Sequence, residues 1–160
     1  MLYIGLFSLY IGYLNLELSY FNERTELNLD SNNLSVLVFL QGWELAVNGF
    51  IKSYGFGIGF QQLGIVKVPS EATYKINVLL GREANITDAG LTAAKIIAEL
   101  GVFGILMILI YLKKFIYLAL RISNYKDNRL IFICSIYLSF IIELFVRGIG
   151  YFNPTIVLVF

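Results

Sequence analysis

Glu143 and Arg147 stand four residues apart in an otherwise apolar run. At that spacing both would lie on one face of a helix. Ionisable groups inside apolar, membrane-like segments are costly, and they are usually paired or functional. Two roles are open to this pair. It could be an ion pair that stabilises a helix bundle, or Glu143 could orient the Arg147 guanidinium, a planar fork of donors suited to phosphate. Lys95 and Glu99 repeat the spacing, either as a surface pair at a helix mouth or as working groups. Arg24 lies in a polar connector and is a candidate anion ligand, with plain solvation as the other reading. Asp88 precedes Lys95 by seven residues and reads as a helix cap. Gln61 and Gln62 carry amides free to hydrogen-bond.

The residues that are missing narrow the chemistry. The chain has no histidine, which excludes histidine acid–base catalysis and histidine metal ligands. With one cysteine, Cys134, a zinc site is not expected and no disulfide can form within the chain; Cys134 reads as packing. The GFGIGF segment lacks the strand and βαβ unit that a dinucleotide fingerprint needs. A net charge of +1 gives no general pull on nucleic acid. Nothing fixes a carboxylate separation from which glycoside hydrolysis could be argued.

The elements that must position these residues are membrane-like. The 160 residues are 58% hydrophobic and 14% charged, with mean hydropathy +0.75. Soluble domains are about 45–50% apolar and about 25% charged. The expected fold is an all-α integral membrane protein with about three transmembrane helices and a partial fourth. Residues 1–21 form the first apolar run, without the basic start or cleavage site of a signal peptide. Because Met1 already lies in that run, the chain is expected to be a fragment, or the product of a late start codon, of a larger multi-span protein. Residues 94–118 are the second span, with Gly101 and Gly104 allowing close helix approach. Residues 119–129 are a short connector and 130–150 the third span. Residues 151–160 turn at Asn153-Pro154 and begin a further, truncated segment.

Between the first two spans lies a long loop, residues 22–93. Its organising stretch is Asn33–Gly64. Residues 33–54 show an apolar face, with Gln41, Glu44, Asn48 and Lys52 at the polar positions. That pattern predicts an amphipathic helix lying in the membrane interface rather than crossing it. Gly55, Gly57 and Gly59 then alternate with Phe56, Ile58 and Phe60, a helix exit open to positive φ. Either an amphipathic lid with a substrate-handling loop or a lipid-lying helix with a flexible exit fits this stretch. The stretch from Val66 to Ala94 is too polar to span and long enough for short helices.

Lys113, Lys114, Arg121, Lys126 and Arg129 cluster around the short connector. By the positive-inside rule this connector is cytoplasmic, and the long loop is on the outer, periplasmic side. Arg24, Arg82 and Arg147 then share that outer side.

Four segments together resemble the C-terminal part of bacterial Wzy-type O-antigen polymerases, of the O-antigen ligase and polymerase superfamily. They are RTELNLDSNNLSVLVFLQGWE from Arg24, GFGIGFQQLG from Gly55, NITDAGLTAAKIIAELGVFGIL from Asn85 and ELFVRGIGYFNP from Glu143. The resemblance implies a GT-C-like fragment of a multi-pass glycosyltransferase in the bacterial inner membrane. Such an enzyme moves a growing glycan from undecaprenyl pyrophosphate onto another lipid-linked repeat unit at the periplasmic face. It implies Arg147 and Arg24 as catalytic residues, without metal or cofactor. Glu143, Gln61, Gln62, Trp43, Lys95 and Arg82 would handle the substrate; the glutamines would hydrogen-bond sugar and Trp43 would stack on it or anchor the interface. Its partners would be the lipid-linked oligosaccharide, the bilayer, a chain-length regulator and a flippase, with no nucleic acid. The ligase branch uses a periplasmic histidine, absent here, which favours polymerase. About three spans, where the family has around ten or more, imply that much of the active site lies elsewhere.

Two other classes fit the same composition: a transporter of a lipid-linked or anionic substrate, and a non-catalytic remnant of a membrane assembly. A transporter should show similar halves with paired broken helices, and the sequence shows no internal repeat. The topology is directly testable. In a Cys134→Ser background, Ser70→Cys should react with an outside-only thiol reagent and Asn128→Cys should not. Outside labelling at position 128 would invert the orientation.

Overall fold

The computed structural model describes residues 27–122, 125–148 and 150–151. They form five helices: α1 (Leu34–Lys52), α2 (Glu71–Leu80), α3 (Thr92–Leu100), α4 (Val102–Arg121) and α5 (Asn128–Phe145). Among the described residues there is no strand, and Leu63 and Val66 make an isolated bridge. The first apolar run, Arg24 and the segment beyond Tyr151 lie outside the described residues.

Local sequence explains where most helices start and stop. Asn33, Ser70 and Asp127 cap α1, α2 and α5, accepting from the backbone N–H of Ser35, Thr73 and Arg129. Gly81 ends α2 in the left-handed conformation. Lys52 sits in the last turn of α1, where a cation complements the helix dipole.

Among the described residues three helices are long and apolar enough, by length and composition, to cross a membrane: α1, α4 and α5. α1 is the helix that its polar positions place in the interface, and residues 1–21, the expected first span, lie outside the described residues. The three also differ in cover. The apolar window of α1 is 39% buried inside the protein, against 17% for α4 and for α5. Phe103, Leu106 and Ile110 on α4, and Phe132, Ile133 and Ile142 on α5, face outward. Apolar side chains exposed on long helices suit a lipid environment. Among the described residues the regular structure is all helical, and the composition and outer faces are those of a membrane protein.

α3 is the centre of the fold. It packs against α1 on one side and against α4 and α5 on the other. Seven of its nine residues are buried. Ala94 and Ala98 join Leu45, Ala46, Leu63 and Leu91 in one apolar cluster, while Ala93 and Ile96 join Ile108, Tyr111, Phe140 and Leu144 in another. On α1, Gly42, Ala46 and Gly49 recur at helical spacing and are all buried. A Cβ added at Gly49 would lie 3.4 Å from that of Ala98, so the two helix backbones run close together. α4 and α5 are joined by a tyrosine clasp. The Tyr111 hydroxyl donates to the Tyr137 carbonyl at 2.8 Å, and the two rings lie 4.9 Å apart. Cys134 is buried, in keeping with a packing role.

The long loop carries two helices, α1 and α2, and folds onto α3. The polar stripe of α1 is not left to headgroups: it binds the chain that follows. Gln41 donates to Thr73 and to the Ala84 carbonyl, Asn48 to the Pro69 carbonyl and Lys52 to the Lys67 carbonyl. Glu44 accepts from the Ala72 N–H.

The second span, read as one helix over 94–118, is divided at Gly101, whose φ of 60° and ψ of −130° leave the helical region. The cause is the glycine exit of α1, which crosses there. The Val102 N–H donates to the Gly55 carbonyl at 2.8 Å. A Cβ at Gly57 would lie 2.2 Å from the Glu99 carbonyl oxygen, and one at Gly101 2.1 Å from that of Gly55. Only paired glycines allow this crossing.

The third span, read to residue 150, ends at Phe145. The Val146 and Arg147 N–H groups both turn back to the Ile142 carbonyl, and the Gly148 N–H donates to the Gly90 carbonyl at 2.9 Å. Docking onto the α2–α3 segment thus draws the chain off the helix axis.

The crossing predicts a graded glycine series. Gly81→Ala, with open space around it, should cost about 1 kcal/mol for its left-handed backbone. Gly57→Ala and Gly101→Ala should cost more, about 3 kcal/mol or above, because strain and backbone overlap combine. Thermal unfolding in detergent measures all three. Equal shifts would contradict the crossing.

Candidate functional site

The C-terminal end of α3 supplies both backbone and side-chain acceptors. The Ile58 N–H donates to the Ala98 carbonyl at 2.9 Å and the Gly59 N–H to the Glu99 carbonyl at 3.0 Å. The Glu99 carboxylate then accepts from the Gln61 N–H at 2.9 Å and the Leu63 N–H at 3.1 Å. One turn earlier, the Lys95 ammonium lies 3.6 Å from Glu99 and 3.5 Å from Asp88, and it also donates to the Thr87 carbonyl. Side-chain exposure is 2% for Lys95 and 0% for Glu99. The pair expected at a helix mouth is therefore wholly internal, since the glycine loop and the 87–91 segment cover it.

Tyr151 closes the cluster. Its ring lies 5.2 Å from the Lys95 ammonium and its hydroxyl donates to the Lys95 carbonyl at 3.4 Å. Phe60 stacks on it with centroids 5.1 Å apart. Burial first, and the nearby Glu99 carboxylate second, push the Tyr151 phenol above its usual range.

Asp88 connects this interior to the surface. Its side chain is 49% exposed, and it lines a cleft of about 480 Å³ together with Ser35, Asn85, Leu91 and Arg147. The cleft lies between the start of α1, the 85–91 segment and the chain leaving α5. The capping role expected of Asp88 is not found. The residue before α3 is Leu91, and no side-chain hydrogen bond caps the helix.

The sequence-predicted residues are dispersed. Arg147 is exposed and reaches the cleft. It lies past the end of α5, so it does not share a helix face with half-buried Glu143. Lys95 lies beneath Asp88. Gln61 and Gln62 are half-buried in the glycine-loop turn, where the Gln61 backbone has a φ of 57°. Trp43 is half-buried against the α1–α3 core, edge-on to Phe39 at 6.4 Å. Arg82 is exposed just after α2. Neither glutamine, nor Trp43, nor Arg82 lines the cleft. A more open hollow of about 550 Å³, beside Leu29, Ser70 and Tyr74, contains none of the predicted residues.

Sequence reasoning missed Asp88 and Tyr151 as members of the cluster. The available signal was a carboxylate one helical repeat before a lysine that itself precedes a glutamate. No protein-family model matches the chain, and no curated protein or solved structure matches it.

Chemically, the arrangement joins a fixed internal ion pair to a cleft bearing one carboxylate and one guanidinium. The internal pair should be strongly coupled. Lys95→Met alone leaves the Glu99 carboxylate buried without its cation, and should destabilise by about 3–5 kcal/mol. The Lys95→Met/Glu99→Met double variant should cost less than the sum of its singles. Denaturation of the four proteins in detergent gives the coupling. Strict additivity would mean that the two charges do not sense each other.

Proposed function

We propose that the chain is part of a surface-polysaccharide polymerase, a GT-C-like glycosyltransferase of the bacterial inner membrane. In this reading it transfers a growing glycan from undecaprenyl pyrophosphate to another lipid-linked repeat unit at the periplasmic face. The observation that carries the reading is Arg147: an exposed arginine just past the end of an apolar helix, in a cleft. A lipid-linked donor needs that combination. Its carrier lies along apolar helices, and its pyrophosphate gathers negative charge at the surface as the glycosidic bond breaks. A guanidinium fixed there stabilises that charge. The four sequence segments that resemble the polymerase family include both Arg147 and the cleft residues Ser35, Asn85 and Asp88. Arg24 would add a second cation, and a flippase and a chain-length regulator would be the working partners.

The helix break at Gly101 favours a second reading, transport, because transporters use interrupted helices to expose backbone carbonyls to ions. Here the carbonyls of Ala98 and Glu99 are already taken by Ile58 and Gly59. The break holds a loop in place, which supports the polymerase reading over the transporter.

The test is complementation of a polymerase-null strain with the complete protein. Arg147→Ala should lower polymer synthesis about 10²–10³-fold at normal membrane abundance. Arg147→Lys should recover part of it, since lysine keeps the charge and loses the planar fork. Polysaccharide ladders on a gel, beside a membrane immunoblot, provide the readout. Full ladders from Arg147→Ala would remove Arg147 from the mechanism.

A further inference from the structure

We infer that Asp88 is the base that activates the acceptor sugar in this cleft, held in place by Lys95; the inference rests on the glycosyl-transfer reading above. The argument begins with charge. Glu99 is fully buried, accepts two backbone N–H bonds and lies beside Lys95, so these two neutralise each other in the interior. Lys95 also touches Asp88. The cluster of one ammonium and two carboxylates therefore carries one negative charge in excess. That excess resides on the exposed member, Asp88, whose side chain lines the cleft that Arg147 also lines.

Geometry fixes the group. Its Oδ1 is 3.5 Å from a lysine that is itself tied to the Thr87 carbonyl and Glu99. The chain leaving α5 passes close to the same oxygen: a Cβ added at Gly150 would lie 2.8 Å from Oδ1. Helix capping does not account for Asp88, because α3 has no side-chain cap. A positioned carboxylate and a guanidinium on one cleft are what transfer from a pyrophosphate-linked donor requires.

The step balances without any further reactant. The acceptor hydroxyl passes its proton to the Asp88 carboxylate as its oxygen bonds to the donor's anomeric carbon. The bond from that carbon to the pyrophosphate oxygen breaks, and its electron pair leaves with the pyrophosphate, whose growing charge faces Arg147. Asp88 then returns the proton to water.

The experiment uses the complete purified protein in detergent with its lipid-linked repeat unit as both donor and acceptor. Asp88→Asn keeps an oxygen for Lys95 and loses the base. Asp88→Ser is measured beside it, and rates are normalised to folded protein. Both variants should lose about 10²–10⁴-fold in kcat, with KM changed by less than about threefold. Either variant turning over within about threefold of the original overturns the role of Asp88 while leaving the polymerase reading intact. A loss carried by KM instead makes Asp88 a binding contact and also overturns it. If the unaltered protein forms no polymer, the functional reading fails, and the role of Asp88 fails with it.

Discussion

The end of α3 is where this structure is decided. A helix terminus leaves carbonyl groups without intrahelical partners, and burying them unpaired is costly. Here the glycine loop provides the partners: Ile58 and Gly59 donate to Ala98 and Glu99, and the Glu99 side chain takes Gln61 and Leu63. Four hydrogen bonds within six residues leave the 58–63 backbone little freedom. The route of the loop then fixes the break at Gly101, the start of α4, and the close run of α1 along α3. The glycines at 57 and 101 belong to one constraint, because the two backbones cross where a Cβ would overlap, and Gly55 enters the crossing with a positive φ.

The internal ion pair follows from the same cover. Burying charge costs several kcal/mol per ion unless partners and hydrogen bonds offset it. Lys95 and Glu99 meet that condition together, with the Thr87 carbonyl, the Tyr151 ring and two loop N–H groups completing the surroundings. An apolar pair would pack there without this cost. What the charged pair adds is position: it ties the glycine loop, the 87–88 segment and the chain beyond α5 to one helix. The cleft borders two of those three segments, so its shape depends on a network that lies beneath it.

Much of the fold was legible in the sequence, and the failures share a cause. Cap and periodicity are local signals, and they place the ends of α1 to within two residues. The short helix α2 was anticipated only as a capacity of a polar stretch. The break at Gly101 was hidden because the apolar run continues through it; a glycine takes positive φ only when something, here Gly55, requires it. The spacing of Glu143 and Arg147 implied a shared face only if the helix continued, and docking of Gly148 on Gly90 ends it first. Lys95 and Glu99 were recognised as a pair, yet their burial depends on chain brought from forty residues away. Asp88 was assigned to the nearest local role, a cap, because its real partner is set by tertiary packing. Composition alone was sufficient for the membrane class.

Amide hydrogen exchange, read residue by residue in detergent, tests the central claim most directly. If the end of α3 holds the glycine loop, the amides of Ile58, Gly59, Gln61 and Leu63 should exchange as slowly as those inside α3, and they should open together with it. Glu99→Gln should speed Gln61 and Leu63 more than Ile58 and Gly59, whose acceptors are backbone carbonyls. Exchange of all four at the rate of exposed loop amides, with α3 still protected, would contradict the account.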